Sequence, residues 1–74
     1  MRGRPRALWL RYLDDLYVTP VGSVEREIAD QVMDMAAQEE IHAYLDGLMQ
    51  RHPESTRRHE IAWELHTLLT GRAA

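Results

Sequence analysis

Histidine, glutamate and aspartate are the side chains of this sequence that could hold a metal ion. Glu39, His42 and Asp46 follow one another at spacings of three and four residues, so a helix would place them on one face. A Glu-x-x-His pair is the unit that carboxylate-bridged di-iron bundles use. Those sites need two such pairs and further glutamates, whereas this chain has one pair. We therefore predict no metal and no other cofactor, and we interpret the three residues as a solvated helix face.

A second group, His59, Trp63 and His66, lies at positions i, i+4 and i+7 of a predicted helix. The seven-residue spacing separates the two histidines by ~10 Å along the axis, which is too far for one ion. His59-Glu60 begins the zinc-binding pattern His-Glu-x-x-His, but the second histidine would fall on Trp63. All three side chains are rotated away from the leucine stripe of the helix. Either the chain before Pro53 covers the tryptophan, or Trp63 lies on a partner-binding or self-association surface.

The sequence lacks the groups that nucleophilic catalysis and phosphate transfer use. It contains no cysteine and no glycine-rich phosphate loop. Ser23 and Ser55 both stand where a helix cap or a first turn is expected. A bundle of 74 residues also has little room for a deep pocket. We therefore expect a protein that is not an enzyme.

Residues 2–6 read Arg-Gly-Arg-Pro-Arg and resemble the core of an AT-hook, a short element that lies in the minor groove of A/T-rich DNA. Arginines enter a narrow groove of strong negative potential, and glycine lets the backbone lie deep in it. The resemblance implies that Arg2 and Arg4 reach the groove floor and that Arg6 contacts phosphate. It covers five of 74 residues, and the basic residues that usually flank an AT-hook on both sides are missing before it. The alternative interpretation is that residues 1–5 form a mobile, solvated basic arm.

Charge is distributed unevenly along the chain, although the net value is only −3. Residues 1–13 hold four arginines and no acid, whereas residues 14–46 hold nine acids against Arg26 alone. An acidic helical face could contact a basic partner, by analogy of charge with DNA-like carboxylate arrays on some phage-encoded inhibitors. The alternative is an exposed, solvated face. The predicted partner-binding residues are Glu25, Asp30, Asp34, Glu39, Glu40, His59, Trp63 and His66.

The hydrophobic pattern predicts an all-α chain, a compact bundle of three to four helices at about 6–18, 24–37, 39–51 and 53–70. The first of these helices is apolar over more than half of its circumference, so we expect it to be central. Ser23 is a good N-cap for the second helix, and Gly71 is a good stop for the last. Residues 6–74 would then form a single helical domain.

The apolar stripe of the second and third predicted helices changes phase, although no proline separates them. Val24 and Ile28 lie on one stripe, whereas Ile41 and Leu45 would lie on nearly the opposite side of a straight helix. Either the helix breaks near residues 37–39, or one long helix buries opposite faces at its two ends. The second alternative predicts a homodimer with exchanged helices, and we favour the break.

These observations predict a small, non-enzymatic protein-interaction module that acts as a regulator or inhibitor of a partner protein, of the kind that phages or mobile elements carry. The alternative is a small DNA-binding protein that uses Arg2, Arg4 and Arg6. No apolar run approaches the ~20 residues that a bilayer-spanning helix needs. The composition without cysteine fits a reducing compartment, so we expect a cytoplasmic protein.

Overall fold

The computed structural model describes residues 7–71, and these form four α-helices in the predicted order. Helix α1 spans Leu8–Tyr17, α2 spans Val24–Met33, α3 spans Gln38–Arg51 and α4 spans Arg57–Thr70. No strand occurs between residues 7 and 71, so the predicted all-α bundle is confirmed. The basic arm at 1–5 lies outside the described residues. None of the four helices combines the length and the hydrophobicity that crossing a membrane would need.

Local sequence explains where α2 and α4 begin and where α4 ends. Ser23 caps α2, because its Oγ accepts a hydrogen bond from the Arg26 N–H at 3.1 Å. Thr56 caps α4 in the same way and accepts from the His59 N–H at 3.3 Å. Gly71 ends α4 with a φ of 74°, a left-handed conformation that only a residue without Cβ adopts without a steric penalty. The predicted cap at Ser23 and the predicted stop at Gly71 are confirmed.

A break at residues 34–37 explains the phase change between α2 and α3. The helix ends at Met33, earlier than the predicted residue 37, and the extended backbone of Ala37 starts a new direction. Ala37 has no side-chain oxygen that could cap α3. Glu40 supplies half of a capping box, because its Oε1 accepts from the N–H groups of Ala36 and Ala37 at 3.1 and 3.4 Å. Both apolar stripes then face one core, so the phase change requires no exchange of helices between chains.

The last helix begins later than the proline pattern predicts. That pattern puts the helix start at Pro53 or just after it, with Glu54 and Ser55 in the first turn. The prediction is wrong, because the Thr56 N–H bonds to the Pro53 carbonyl at 3.0 Å and closes a separate turn. Helix α4 starts only at Arg57, and Glu54 and Ser55 lie exposed in the preceding turn.

The core draws apolar side chains from all four helices, but α4 is its centre. Helix α4 packs against each of the other three helices, and its Ile61 and Leu65 are fully buried. Helix α1 packs against α2 and α4 and leaves Leu8 and Tyr17 exposed. Within one chain the central helix is therefore α4 and not the first helix, whereas a central place for α1 in a dimer stays a prediction. Among the described residues, the buried core consists of Leu13, Leu16, Ile28, Ala29, Val32, Ile41, Leu45, Leu48, Ile61, Ala62 and Leu65.

Candidate functional site

The outer face of α4 carries Trp63, the largest of the exposed apolar side chains on the described surface. Its exposed fraction is 55%. A shallow cleft of about 380 Å³ lies on its N-terminal side, and a second of about 460 Å³ lies on its C-terminal side. The first cleft is lined by α4 and the turn before it, and the second is lined by α4 alone. The described chain therefore leaves more than half of this tryptophan uncovered.

The two clefts beside Trp63 differ in charge. The first, which we call the N-terminal cleft, is lined by Glu54, Ser55, Thr56, His59, Glu60 and Trp63. The second, the C-terminal cleft, is lined by Trp63, His66, Thr67 and Thr70. Two carboxylates and no lysine or arginine line the N-terminal cleft, whereas no acid or arginine lines the other. Trp63 therefore separates an acidic side of the α4 face from a neutral, threonine-rich side.

The imidazole of His59 is held by the end of the preceding helix. Its Nδ1–H donates a hydrogen bond to the backbone carbonyl of His52 at 3.0 Å. A carbonyl can only accept, so Nδ1 carries a proton. The ring therefore has a fixed tautomer and a fixed position in the N-terminal cleft.

The imidazole of His66 contacts α3. Its Nε2 lies 3.4 Å from Asp46 Oδ1, and its ring meets the His42 ring edge-on with 4.8 Å between centroids. The face that carries His42 and Asp46 is thus partly packed against α4 and not simply solvated. Across residues 7–71, no three histidine or acidic side chains are arranged to hold a metal ion. The contact predicted between this helix and the chain before Pro53 is made by the histidines, while Trp63 stays exposed.

Several acids of the acidic segment are engaged within the chain. Glu25 Oε2 accepts from Arg57 Nε at 2.9 Å. Glu27 Oε2 and Oε1 accept from Arg58 Nη1 and Nη2 at 2.9 and 3.0 Å. These hydrogen bonds lower the pKa of both carboxyls below their ordinary value, and they raise the pKa of both arginines. The two arginines at the start of α4 therefore face α2.

The other acids predicted to bind a partner differ in their contacts and in their places on the helices. Asp30 pairs with Arg26 at 3.2 Å, and Glu40 caps α3. Asp34 lies exposed at the end of α2, and Glu39 lies exposed in the first turn of α3. The residues that the fold does bring onto one face are His59, Trp63 and His66.

Sequence reasoning missed the neighbours of Trp63, although helical spacing could have found them. Thr56, Glu60, Trp63, Thr67 and Thr70 follow one another at spacings of four, three, four and three residues, which is the period of one helix face. Glu54 could not be found in this way, because it enters the cleft from the turn before the helix.

A third cleft, of about 300 Å³, lies between α1, the end of α2 and the start of α3. Its walls are mostly apolar and include Trp9, Leu10, Met33 and Met35. Unlike the α4 face, it is formed by side chains that largely belong to or pack against the core. We regard it as the edge of the core.

The arginines of the AT-hook-like arm, Arg2, Arg4 and Arg6, lie outside the described residues, so DNA binding stays a prediction. Comparison of the chain with protein-family models, with curated proteins and with solved structures gives no match. The chemistry of the α4 face is therefore the main indication of what this chain binds.

Proposed function

We propose that this chain is a small, non-enzymatic protein-interaction module that binds a partner protein through the outer face of α4 and acts as its regulator or inhibitor. The observation that carries the proposal is the exposure of Trp63 at 55%. A tryptophan side chain buries about 150–250 Å² when it is fully covered. Covering the exposed half contributes on the order of 2–3 kcal/mol before the costs of association. Tryptophan is also among the residues most enriched at binding hot spots.

The surroundings of Trp63 suit a docking surface. Thr67 and Thr70 are short, so a partner can approach the indole closely. His59 and His66 are already held by His52 and by α3, so ordering them on binding costs little entropy. An aromatic anchor among short or immobilised polar side chains is typical of the centre of a protein–protein interface.

A protein can regulate a partner without catalysis by occupying part of the partner's surface. Both clefts beside Trp63 are shallow, and a module that covers a partner's surface blocks that surface or stabilises one conformation of it. The acids engaged by Arg57 and Arg58 favour the Trp63 side over the α2 side as the binding face. A cytoplasmic location is part of the proposal and rests on the composition without cysteine.

Capture of partners by immobilised protein tests the proposal. We expect at least one protein from an extract of the source organism to be retained by the unaltered chain and lost with Trp63→Ala. The matched control is Val21→Ala, which removes an exposed apolar side chain, 83% accessible, that lines neither cleft. Because both side chains are exposed, circular dichroism should show unchanged helicity in both variants.

The proposal fails if every specifically retained protein binds the Trp63→Ala variant as well as it binds the unaltered chain. A variant with Asp34→Arg and Glu39→Arg then identifies the alternative, because the side chains of these two exposed acids of the predicted face make no ion pair or helix-capping hydrogen bond within residues 7–71. Loss of a partner in that variant alone would assign binding to the acidic face of α2 and α3.

A further inference from the structure

The N-terminal cleft combines an aromatic face with unbalanced negative charge. Trp63 forms one side of it, and Glu54 and Glu60 contribute two carboxylates. Glu54 makes no ion pair within residues 7–71. Glu60 uses Oε1 to accept from Arg57 Nη1 at 2.7 Å, but its side chain is still 66% exposed. Carboxylate oxygens therefore remain accessible beside the indole.

The two arginines at the start of α4 are already engaged by carboxylates within the chain. Arg57 divides its guanidinium between Glu25 and Glu60, and Arg58 is held by both oxygens of Glu27. Neither arginine lines the cleft. The cleft therefore presents an aromatic ring and the Glu54 carboxylate, which is unpaired within the described residues, while Glu60 shares its charge with Arg57, in a chain of net charge −3.

We propose that the N-terminal cleft binds an arginine side chain from a basic segment of the partner. The guanidinium stacks on Trp63 and donates hydrogen bonds to Glu54 and Glu60. This inference rests on the proposed function and specifies the chemistry of the partner. A guanidinium is planar, stacks on aromatic faces and carries five donors in a fork that matches a carboxylate. The Nδ1–H of His59 is already donated to His52, so only Nε2 of that ring faces a ligand in the cleft.

The start of α4 does not oppose a cation at this place. Helix N-termini carry partial positive charge, which disfavours a cation. Here the Thr56 hydroxyl already accepts from the His59 N–H, and Glu60 lies in the first turn. Both features reduce the field that a guanidinium in the cleft would meet.

Titration of ¹⁵N-labelled protein with short peptides tests this inference, because the indole N–H signals report Trp63 and Trp9 separately. The probe is a nine-residue peptide with three arginines among glycines and serines, at low salt. Matched peptides replace each arginine with lysine or with citrulline, which keeps the shape and removes the charge. We expect the Trp63 signal to shift to saturation with the arginine peptide. Binding should weaken about tenfold with citrulline and by a smaller factor with lysine.

Two variants locate the contact. Glu54→Gln should weaken the arginine peptide about two- to fivefold, whereas Glu39→Gln, the same charge change on an exposed site of α3, should leave binding unchanged. Trp63→Ala should abolish binding. Equal affinity for the citrulline peptide, absence of any Trp63 shift, or a shift of Trp9 instead would each overturn the inference. So would Trp63 signals that broaden with protein concentration alone, because a second copy of the chain would then cover the indole.

The two proposals fail differently. Loss of a captured protein in Trp63→Ala without peptide binding would leave the interaction surface intact and remove only its arginine specificity. Retention of every captured protein by Trp63→Ala would remove the proposed function itself.

Discussion

Single side chains before the helices differ in what they do, even when the residue type is the same. Ser23 and Ser55 both precede helices in positions typical of caps. Ser23 caps α2 through its bond with the Arg26 N–H, and its hydroxyl also donates to Thr19 Oγ1 at 3.2 Å. Ser55 lies exposed in the turn before α4 and makes no side-chain hydrogen bond within residues 7–71. Thr56, one residue later, is the cap of α4.

Removing the Ser23 hydroxyl should therefore destabilise the fold measurably. We expect Ser23→Ala to lower the free energy of unfolding by about 1 kcal/mol, because the first turn of α2 loses its acceptor. Ser55→Ala is the matched control and should change it by less than about 0.5 kcal/mol. Urea denaturation followed by circular dichroism measures both. Equal effects of the two variants would show that the Ser23 cap is not a stabilising contact.

At the scale of helices, ion pairs join α2 to α4 at one end of the bundle. Glu25 and Glu27 reach across to Arg57 and Arg58. Burial raises the pKa of the Tyr12 phenol of α1 and of the Tyr44 phenol of α3. The charges of these ion pairs also act on both phenols. At this end of the bundle, two ion pairs join α2 to α4, and the phenols of α1 and α3 lie within their electrostatic field.

The interface between α2 and α4 predicts an acid-sensitive stability. The folded chain holds the pKa of Glu25 and Glu27 below the ordinary value of 4.5. Their contribution is therefore complete above that value and is lost as the pH falls through the lower, folded pKa. We expect the melting temperature to decrease between about pH 6 and about pH 3, and to decrease less steeply in a Glu25→Gln, Glu27→Gln double variant. Identical slopes would contradict the prediction.

The matched control for this pH dependence is a double variant with Glu39→Gln and Glu54→Gln. Both glutamates are exposed, and neither makes an ion pair within the described part of the chain. Their replacement removes the same number of carboxyls without touching the interface between α2 and α4. We therefore expect this control to keep the pH slope of the unaltered protein.

At the scale of the whole molecule, one chain covers its own core. The break at residues 34–37 turns both stripes of α2 and α3 inward, and α4 closes the bundle against all three other helices. The homodimer that an unbroken helix would have required is thus not needed to bury Ile28 or Leu45. Among the exposed apolar side chains of the described residues, Trp63 is the largest.

A self-contained core predicts a melting temperature that does not depend on protein concentration. We expect the same value between about 10 μM and about 1 mM, because only an associating protein is stabilised by mass action. Differential scanning calorimetry measures it. A rise with concentration would show self-association, and loss of that rise in Trp63→Ala would place the indole in the contact between copies.

The sequence by itself determined the features that depend on neighbours along the chain. Local patterns predict an all-α chain of three to four helices, the cap at Ser23 and the stop at Gly71, and they favour the break between α2 and α3 over one long helix. These patterns suffice because a cap, a left-handed stop or a change of apolar phase involves residues within one or two helical turns. The start of α4 was misplaced because Pro53 opens a turn, and a proline is compatible with either structure.

Only the tertiary structure decided which faces of the helices meet. It put α4 and not α1 at the centre, and it joined Glu25 to Arg57 across 32 residues of chain. The same packing covered His66 with α3 while it left Trp63 exposed. A hydrophobic pattern states that a face is apolar but not what covers it, because burial depends on side chains that are remote in sequence. The candidate site follows from that packing, since Trp63 marks the part of α4 that no other helix reaches.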